Sequence, residues 1–187
     1  LAARVGATVS VVDAGVAGAI PAVGAGAATL IRVPIRAGTD DMTAGPAMSH
    51  DEALRAISIG LDVVAALEHD GVELIGIGEM GIGNTTAASA ITAAMTGLSP
   101  DRVTGRGTGI DDATHAHKVA MVARALSRNT PGASDPIAVL STVGGFEIVQ
   151  SGNFALDLSL RLAHGFYSGG GASNIAFLIG VNWRGET

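Results

Sequence analysis

At 187 residues the chain is long enough for one domain with its own core, or for part of a larger one. It has no cysteine, which excludes disulfides and thiolate metal sites, and its net charge of −6 without a basic run argues against a nucleic-acid partner. Hydrophobic residues make up 48%, charged ones 15% and aromatic ones 3%, so the core is expected to be built closely from small side chains.

The chain opens on Leu1-Ala2-Ala3-Arg4-Val5-Gly6-Ala7, which reads as the end of a helix entering a strand and so as part of an internal fragment. The apolar stretch 9–33 contains Asp13, Pro21 and several glycines, and a membrane span is not expected there. Nothing resembles a secretion signal, and a soluble cytoplasmic protein is the expectation.

Thr8-Val9-Ser10-Val11-Val12-Asp13 reads as an interior parallel strand, with β-branched residues on both faces and an acid at its end. The run from Thr29 to Ile35 carries Pro34, which fits an edge or an irregular extension. Ser49 precedes Asp51 and Glu52, and Leu54, Ile57, Leu61 and Val64 recur at helical spacing, predicting a capped amphipathic helix over 49–68.

A buried strand over 72–77 and a helix over 84–95 enclose Gly78-Glu79-Met80-Gly81-Ile82-Gly83-Asn84-Thr85-Thr86. A strand-to-helix turn of this kind binds phosphate: glycines let the backbone approach an anion, the first helical amides lack partners, and the helix dipole favours negative charge. Asn84, Thr85 and Thr86 add a cap and hydroxyls. A simple phosphate cradle does not require Glu79, and a carboxylate beside an anion site suggests chemistry.

A second glycine-rich loop follows, Thr104-Gly105-Arg106-Gly107-Thr108-Gly109-Ile110, with Asp111 placed to cap a helix that ends near Asn129-Thr130-Pro131. Lys118, the only lysine of the chain, lies about two turns into that helix and reads either as part of a solvated face or as a point charge directed at a phosphate. His115 and His117 are two apart, a poor metal pair on a helix, and a solvated face is expected for them. Pro136 sits in a first-turn position of a short helix over 137–142, interrupted at Gly144-Gly145. The alternation of strand and helix predicts an α/β fold with a parallel sheet covered by helices.

Gly76-x-Gly78-x-x-Gly81 formally matches the dinucleotide fingerprint, which would predict affinity for NAD. That fingerprint expects a second strand ending in an acid about twenty residues on, a distance that here reaches Asp101 with no apolar run before the second glycine loop. A P-loop fails because Gly83-Asn84-Thr85 lacks its lysine.

The strings 78–86 and 105–112 with Lys118 downstream, Gly144-Gly145-Phe146-Glu147-Ile148, and the segment 39–48 closely resemble the nicotinate-nucleotide:dimethylbenzimidazole phosphoribosyltransferase family. The resemblance covers 1–148 and leaves 149–187 as a divergent or shortened C-terminal segment, so the fold it implies is a Rossmann-like parallel sheet, incomplete relative to the family. It implies transfer of phosphoribose from nicotinate mononucleotide to 5,6-dimethylbenzimidazole, giving α-ribazole 5′-phosphate for the lower ligand of cobalamin, with no metal or other cofactor. Gly81, Gly83, Asn84, Thr85, Gly107 and Lys118 would hold the nucleotide and its phosphate, Met80 would line the base pocket, and Glu79 would lie beside the base and ribose. Asp13 is a candidate for the rim.

The family also has a segment before the position of Leu1 and a Leu-Arg-Leu-Gly-Glu-Gly motif whose glutamate is the general base. The stretch from Phe154 to Gly165 looks like that motif's region moved forward, with His164 where the glutamate belongs. Two function classes follow: a phosphoribosyltransferase, or a non-catalytic nucleotide-binding remnant that kept the phosphate loops. A homodimer is implied by resemblance.

Overall fold

The computed structural model describes residues 7–17, 28–79, 84–107, 109–144, 154–156, 175–180 and 183–185. For Glu79, Asn84 and the three stretches after residue 150 the description extends to the backbone alone. Met80, Gly81, Gly83 and His164 lie outside the described residues, as does the Gly145–Ile148 part of the third motif.

Strand β1 (Thr8–Asp13) forms where the β-branched run predicts it, with Ser10 and Asp13 buried. Beside it runs the short strand β2 (Thr29–Arg32), which stops two residues before Pro34 and takes the edge of the sheet. Strand β3 (Leu74–Glu79) starts and ends two residues later than the apolar run suggests, which brings Gly78 and Glu79 into the strand. The sheet has the order β2-β1-β5-β3, and each neighbouring pair is parallel.

Strand β5 (Ile175–Gly180) joins the sheet between β1 and β3. It comes from the C-terminal segment that the sequence leaves unread, and it pairs Val9 with Phe177 on one side and Gly76 with the same residue on the other. Asp13 and Glu79 therefore sit at the carboxyl ends of two strands separated by one, a lateral spacing of roughly 10 Å. Two further strands, β4 (Phe154–Leu156) and β6 (Trp183–Gly185), pair antiparallel as a separate ribbon.

Helix α1 (His50–His69) begins with a complete capping box: Ser49 Oγ accepts from Glu52 N, and Glu52 Oε2 accepts from Ser49 N at 2.7 Å. Its buried positions are Ala53 and Val63, with Ile57 packed against the cluster of Met48, Ala53 and Leu140, while Leu54 and Leu61 are 42% and 56% exposed. The inward face is thus rotated from the expected leucine stripe, because alanine admits the close approach of α5 (Pro136–Val143) where leucine would not.

Helix α2 (Asn84–Thr96) has the composition of a close-contact helix. Ala87, Ala90 and Ala93 are fully or almost fully buried, and the hydroxyls of Ser89, Thr92 and Thr96 bond back to carbonyls four residues earlier. It packs on α4 (Asp112–Asn129) and α5, where Ala90 meets Val122, Ala125, Val139 and Val143. A single-turn helix, α3 (Pro100–Val103), which the periodicity does not reveal, links α2 to the second glycine loop.

The segment 39–48 is tied into this helical layer from both sides. Ala47 N and Met48 N donate to Thr142 O and Ser141 O, satisfying carbonyls at the end of α5, and Asn129 Nδ2 donates to Met42 O at 2.7 Å. Met42 is buried in the cluster formed by α2, α4 and α5. Arg36 closes the segment: its guanidinium bonds Asp40, Ala47 O and Glu52 Oε1.

Candidate functional site

The glycine-rich loop before α4 meets the first turn of α2. Thr85 lies in its first turn, and the hydroxyl Oγ1 accepts a hydrogen bond from Lys118 Nζ at 2.5 Å. The same ammonium donates to Gly105 O at 3.0 Å, so Lys118 bridges the first turn of α2 to the loop before α4. Gly107 completes the meeting point: a Cβ built on it would come 3.1 Å from Thr85 Oγ1 and 3.7 Å from Lys118 Nζ. Its φ of +60° lies in the left-handed region, which favours glycine there, and a side chain would also crowd Thr85 Oγ1.

The loop itself is held by its own residues and by α4. Arg106 Nη1 donates to Ile110 O at 3.0 Å, Arg106 Nη2 pairs with Asp112 Oδ1, and Gly109 N donates to Arg106 O. Asp111 caps α4 by accepting from Thr114 N at 2.7 Å, and that bond holds its carboxyl below the usual carboxylate range. The third tie is His115, half-buried, whose Nε2 lies 2.8 Å from Thr104 O. A carbonyl only accepts, so this nitrogen carries the hydrogen.

Of the residues named from the sequence, the structure thus brings Thr85, Gly107 and Lys118 together. Asn84 opens α2 next to Thr85, and Glu79 ends β3 five residues before Asn84 in sequence. The solvated-face alternative for Lys118 is set aside by its two bonds, and the expectation for His115 is corrected in the same way. His117 is exposed, as expected.

Sequence reasoning missed Arg106, Asp112 and His115. The available signal was spacing: Asp111, His115 and Lys118 stand at i, i+4 and i+7, one helical face, directly after the loop they secure. Asp13 Oδ1 accepts from Gly15 N and Val16 N at 3.1 and 2.9 Å, closing the turn at the carboxyl end of β1. Among the described residues no group of three or more His, Asp and Glu side chains is arranged to hold a metal ion, and no helix is long and apolar enough to cross a membrane.

What this arrangement offers chemically is a cation, a hydroxyl and backbone amides at the start of a helix, a combination suited to a phosphate monoester. Comparison with known proteins agrees with that chemistry. A family model described as phosphoribosyltransferase matches residues 1–160. A nicotinate-nucleotide–dimethylbenzimidazole phosphoribosyltransferase from Desulforudis audaxviator is 49% identical over 148 residues, covering 79% of this chain and 41% of that protein. The protein of the same name from Desulforamulus reducens is 42% identical over 176 residues, covering 92% of this chain and 49% of its own length. Among solved structures, CobT from Thermus thermophilus superposes with a TM-score of 0.63 at 42% identity, over 72% of this chain and 39% of that one. The chain spans less than half the length of these relatives.

Proposed function

From the premise that the chain belongs to the nicotinate-nucleotide–dimethylbenzimidazole phosphoribosyltransferase family, we propose that it transfers phosphoribose from nicotinate mononucleotide to 5,6-dimethylbenzimidazole. The products are α-ribazole 5′-phosphate and nicotinate. The observation that carries the reading is the junction of Thr85, Gly107 and Lys118, which joins both family loops around one ammonium group.

The reaction asks little covalent chemistry of the protein. The bond from ribose C1′ to the pyridinium nitrogen breaks, its electron pair neutralises the ring, and the leaving group needs no acid. The unprotonated azole nitrogen attacks C1′, and the proton on the other ring nitrogen passes to a base. The protein must hold the phosphate, stabilise positive charge growing on the ribose and accept that proton. In this reading Lys118 and the amides of the loop containing Gly107 bind the 5′-phosphate, with Gly81, Gly83 and Asn84 on the other loop. Glu79 faces the ribose and base beside Met80. His164 takes the place of the family's glutamate as a proton acceptor.

The molecule is proposed to act in the cytoplasm as a homodimer, with 1–148 carrying the phosphate loops and 149–187 as a divergent segment that adds a strand to a Rossmann-like sheet. Sedimentation as a monomer would contradict the dimer.

The test is single-turnover product analysis with nicotinate mononucleotide and dimethylbenzimidazole, on this chain and on Glu79→Gln. Release of nicotinate together with α-ribazole phosphate, lost in the variant, is the expected result. Nucleotide binding with no product would instead indicate a phosphate-binding scaffold without the chemistry.

A further inference from the structure

Three successive peptide carbonyls of the second glycine loop have identified partners. Thr104 O meets His115 Nε2, Gly105 O accepts from Lys118 Nζ, and Arg106 O accepts from Gly109 N. A trans peptide is planar, with its C=O and the following N–H antiparallel. Whatever fixes the direction of the Thr104 carbonyl therefore fixes the Gly105 N–H, pointing it away from His115.

We propose that His115 is a positioning residue for the phosphate loop, aiming the Gly105 amide through the Thr104 carbonyl. This rests on the phosphoribosyltransferase reading of the same site. The surroundings suit the role. Thr104 is 6% exposed and its own hydroxyl has no partner, so the Thr104–Gly105 peptide is held on this side by the imidazole alone among the described contacts. Gly105 has no atom within 4 Å of a built Cβ, so packing does not fix its orientation. His115 and Lys118 are three apart on one face of α4, so the residue that aims one amide stands beside the cation that neutralises the phosphate. A planar ring that donates from Nε2 and has two rotatable bonds suits a fixed carbonyl better than a flexible lysine would.

The experiment compares equilibrium affinities for nicotinate mononucleotide and for nicotinate riboside, which lacks the phosphate, in wild type, His115→Ala, His115→Gln and the exposed-residue control His117→Ala. Melting temperatures are read alongside. Wild type is expected to prefer the phosphorylated ligand. His115→Ala should lose about three- to tenfold of affinity for the mononucleotide and less than about twofold for the riboside, the loss of one hydrogen-bonded positioning contact. His115→Gln, whose side-chain amide nitrogen reaches about as far as Nε2, should recover most of it, and His117→Ala should match wild type. An unchanged preference in His115→Ala overturns the proposal. So does equal weakening of both ligands with a lowered melting temperature, because that marks general loosening of the fold. A wild-type chain without preference for the phosphorylated ligand removes the phosphate-site reading itself, and the proposal with it.

Discussion

Thr85 and Lys118 stand thirty-three residues apart in the chain and are joined by a hydrogen bond of 2.5 Å from Nζ to Oγ1. One contributes the first turn of a helix that follows a strand, the other the second turn of a helix that follows a glycine loop. The contact joins two motifs that the sequence presents separately. It also fixes the chain's only lysine, a compact charge of the kind that binds phosphate, at that junction.

Replacing Lys118 by methionine should therefore weaken nicotinate mononucleotide binding by about 10- to 100-fold, the value of one charge-assisted hydrogen bond of roughly 1.5–3 kcal/mol. Arginine should not restore it, because a planar guanidinium does not fit between Thr85 Oγ1 and Gly105 O at 2.5 and 3.0 Å. Calorimetric titration of the two variants checks this.

Gly107 and Gly105 should respond differently to alanine. At Gly107 the new Cβ meets Thr85 Oγ1 at 3.1 Å with φ at +60°, a backbone cost of about 1–2 kcal/mol before any effect on the ligand. At Gly105 nothing lies within 4 Å and φ is not in the left-handed region, so stability should change by less than about 0.5 kcal/mol. Denaturant unfolding of both variants separates the two cases.

Gly144 closes α5 at a point with no room for a side chain. A Cβ there would stand 2.7 Å from Leu140 O, 2.9 Å from Leu140 Cδ1 and 3.0 Å from Ile91 Cδ1. The oxygen is backbone and cannot step aside, so Gly144→Ala should cost about 1–3 kcal/mol. The melting temperature should fall by about 2–4 °C for each kcal/mol.

The cap of α4 should give stability an acid limb. Asp111 has its carboxyl lowered chiefly by the bond from Thr114 N, so the folded state binds that proton less readily than the unfolded chain. Its contribution is then present above the ordinary aspartate value of about 4 and is lost as pH falls through the lower folded value. Asp111→Asn keeps an oxygen acceptor for the cap, so its melting temperature should depend less on pH below about 4 than that of the wild type. Thermal melts at a series of acid pH values measure this.

The parts of the fold legible in the sequence were those fixed by local chemistry. The β-branched run of β1, the proline after β2, the capping box at Ser49 and the aspartate cap at Asp111 each act within a few residues of themselves. Strand β5 was not legible because Ile175-Ala176-Phe177-Leu178-Ile179-Gly180 becomes a central strand only through partners about a hundred and more residues away. Helix α1 lies where the periodicity predicts it, and of the expected stripe Ile57 packs inward while Leu54 and Leu61 are exposed. Periodicity finds an apolar stripe, and the neighbour decides whether Leu54 and Leu61 or Ala53 and Val63 are admitted.

At the site, the glycine loops and Lys118 were legible because their spacing and composition are unusual. His115 reads from spacing as a poor metal pair with His117 on a solvated face, and its bond to a backbone carbonyl belongs to tertiary structure. Arg106 escaped for the same reason. Its partners Ile110 O and Asp112 are close in sequence, yet a turn is needed to bring them together.

The central claim is that one phosphate is held between Thr85, Gly107 and Lys118. An amide-resolved NMR titration of the uniformly labelled chain with nicotinate mononucleotide tests it most directly. The account predicts saturable shifts concentrated at the amides of Thr85, Gly105 and Gly107, abolished in Lys118→Met. Saturable binding that leaves those amides unmoved, or no binding at all, would contradict it.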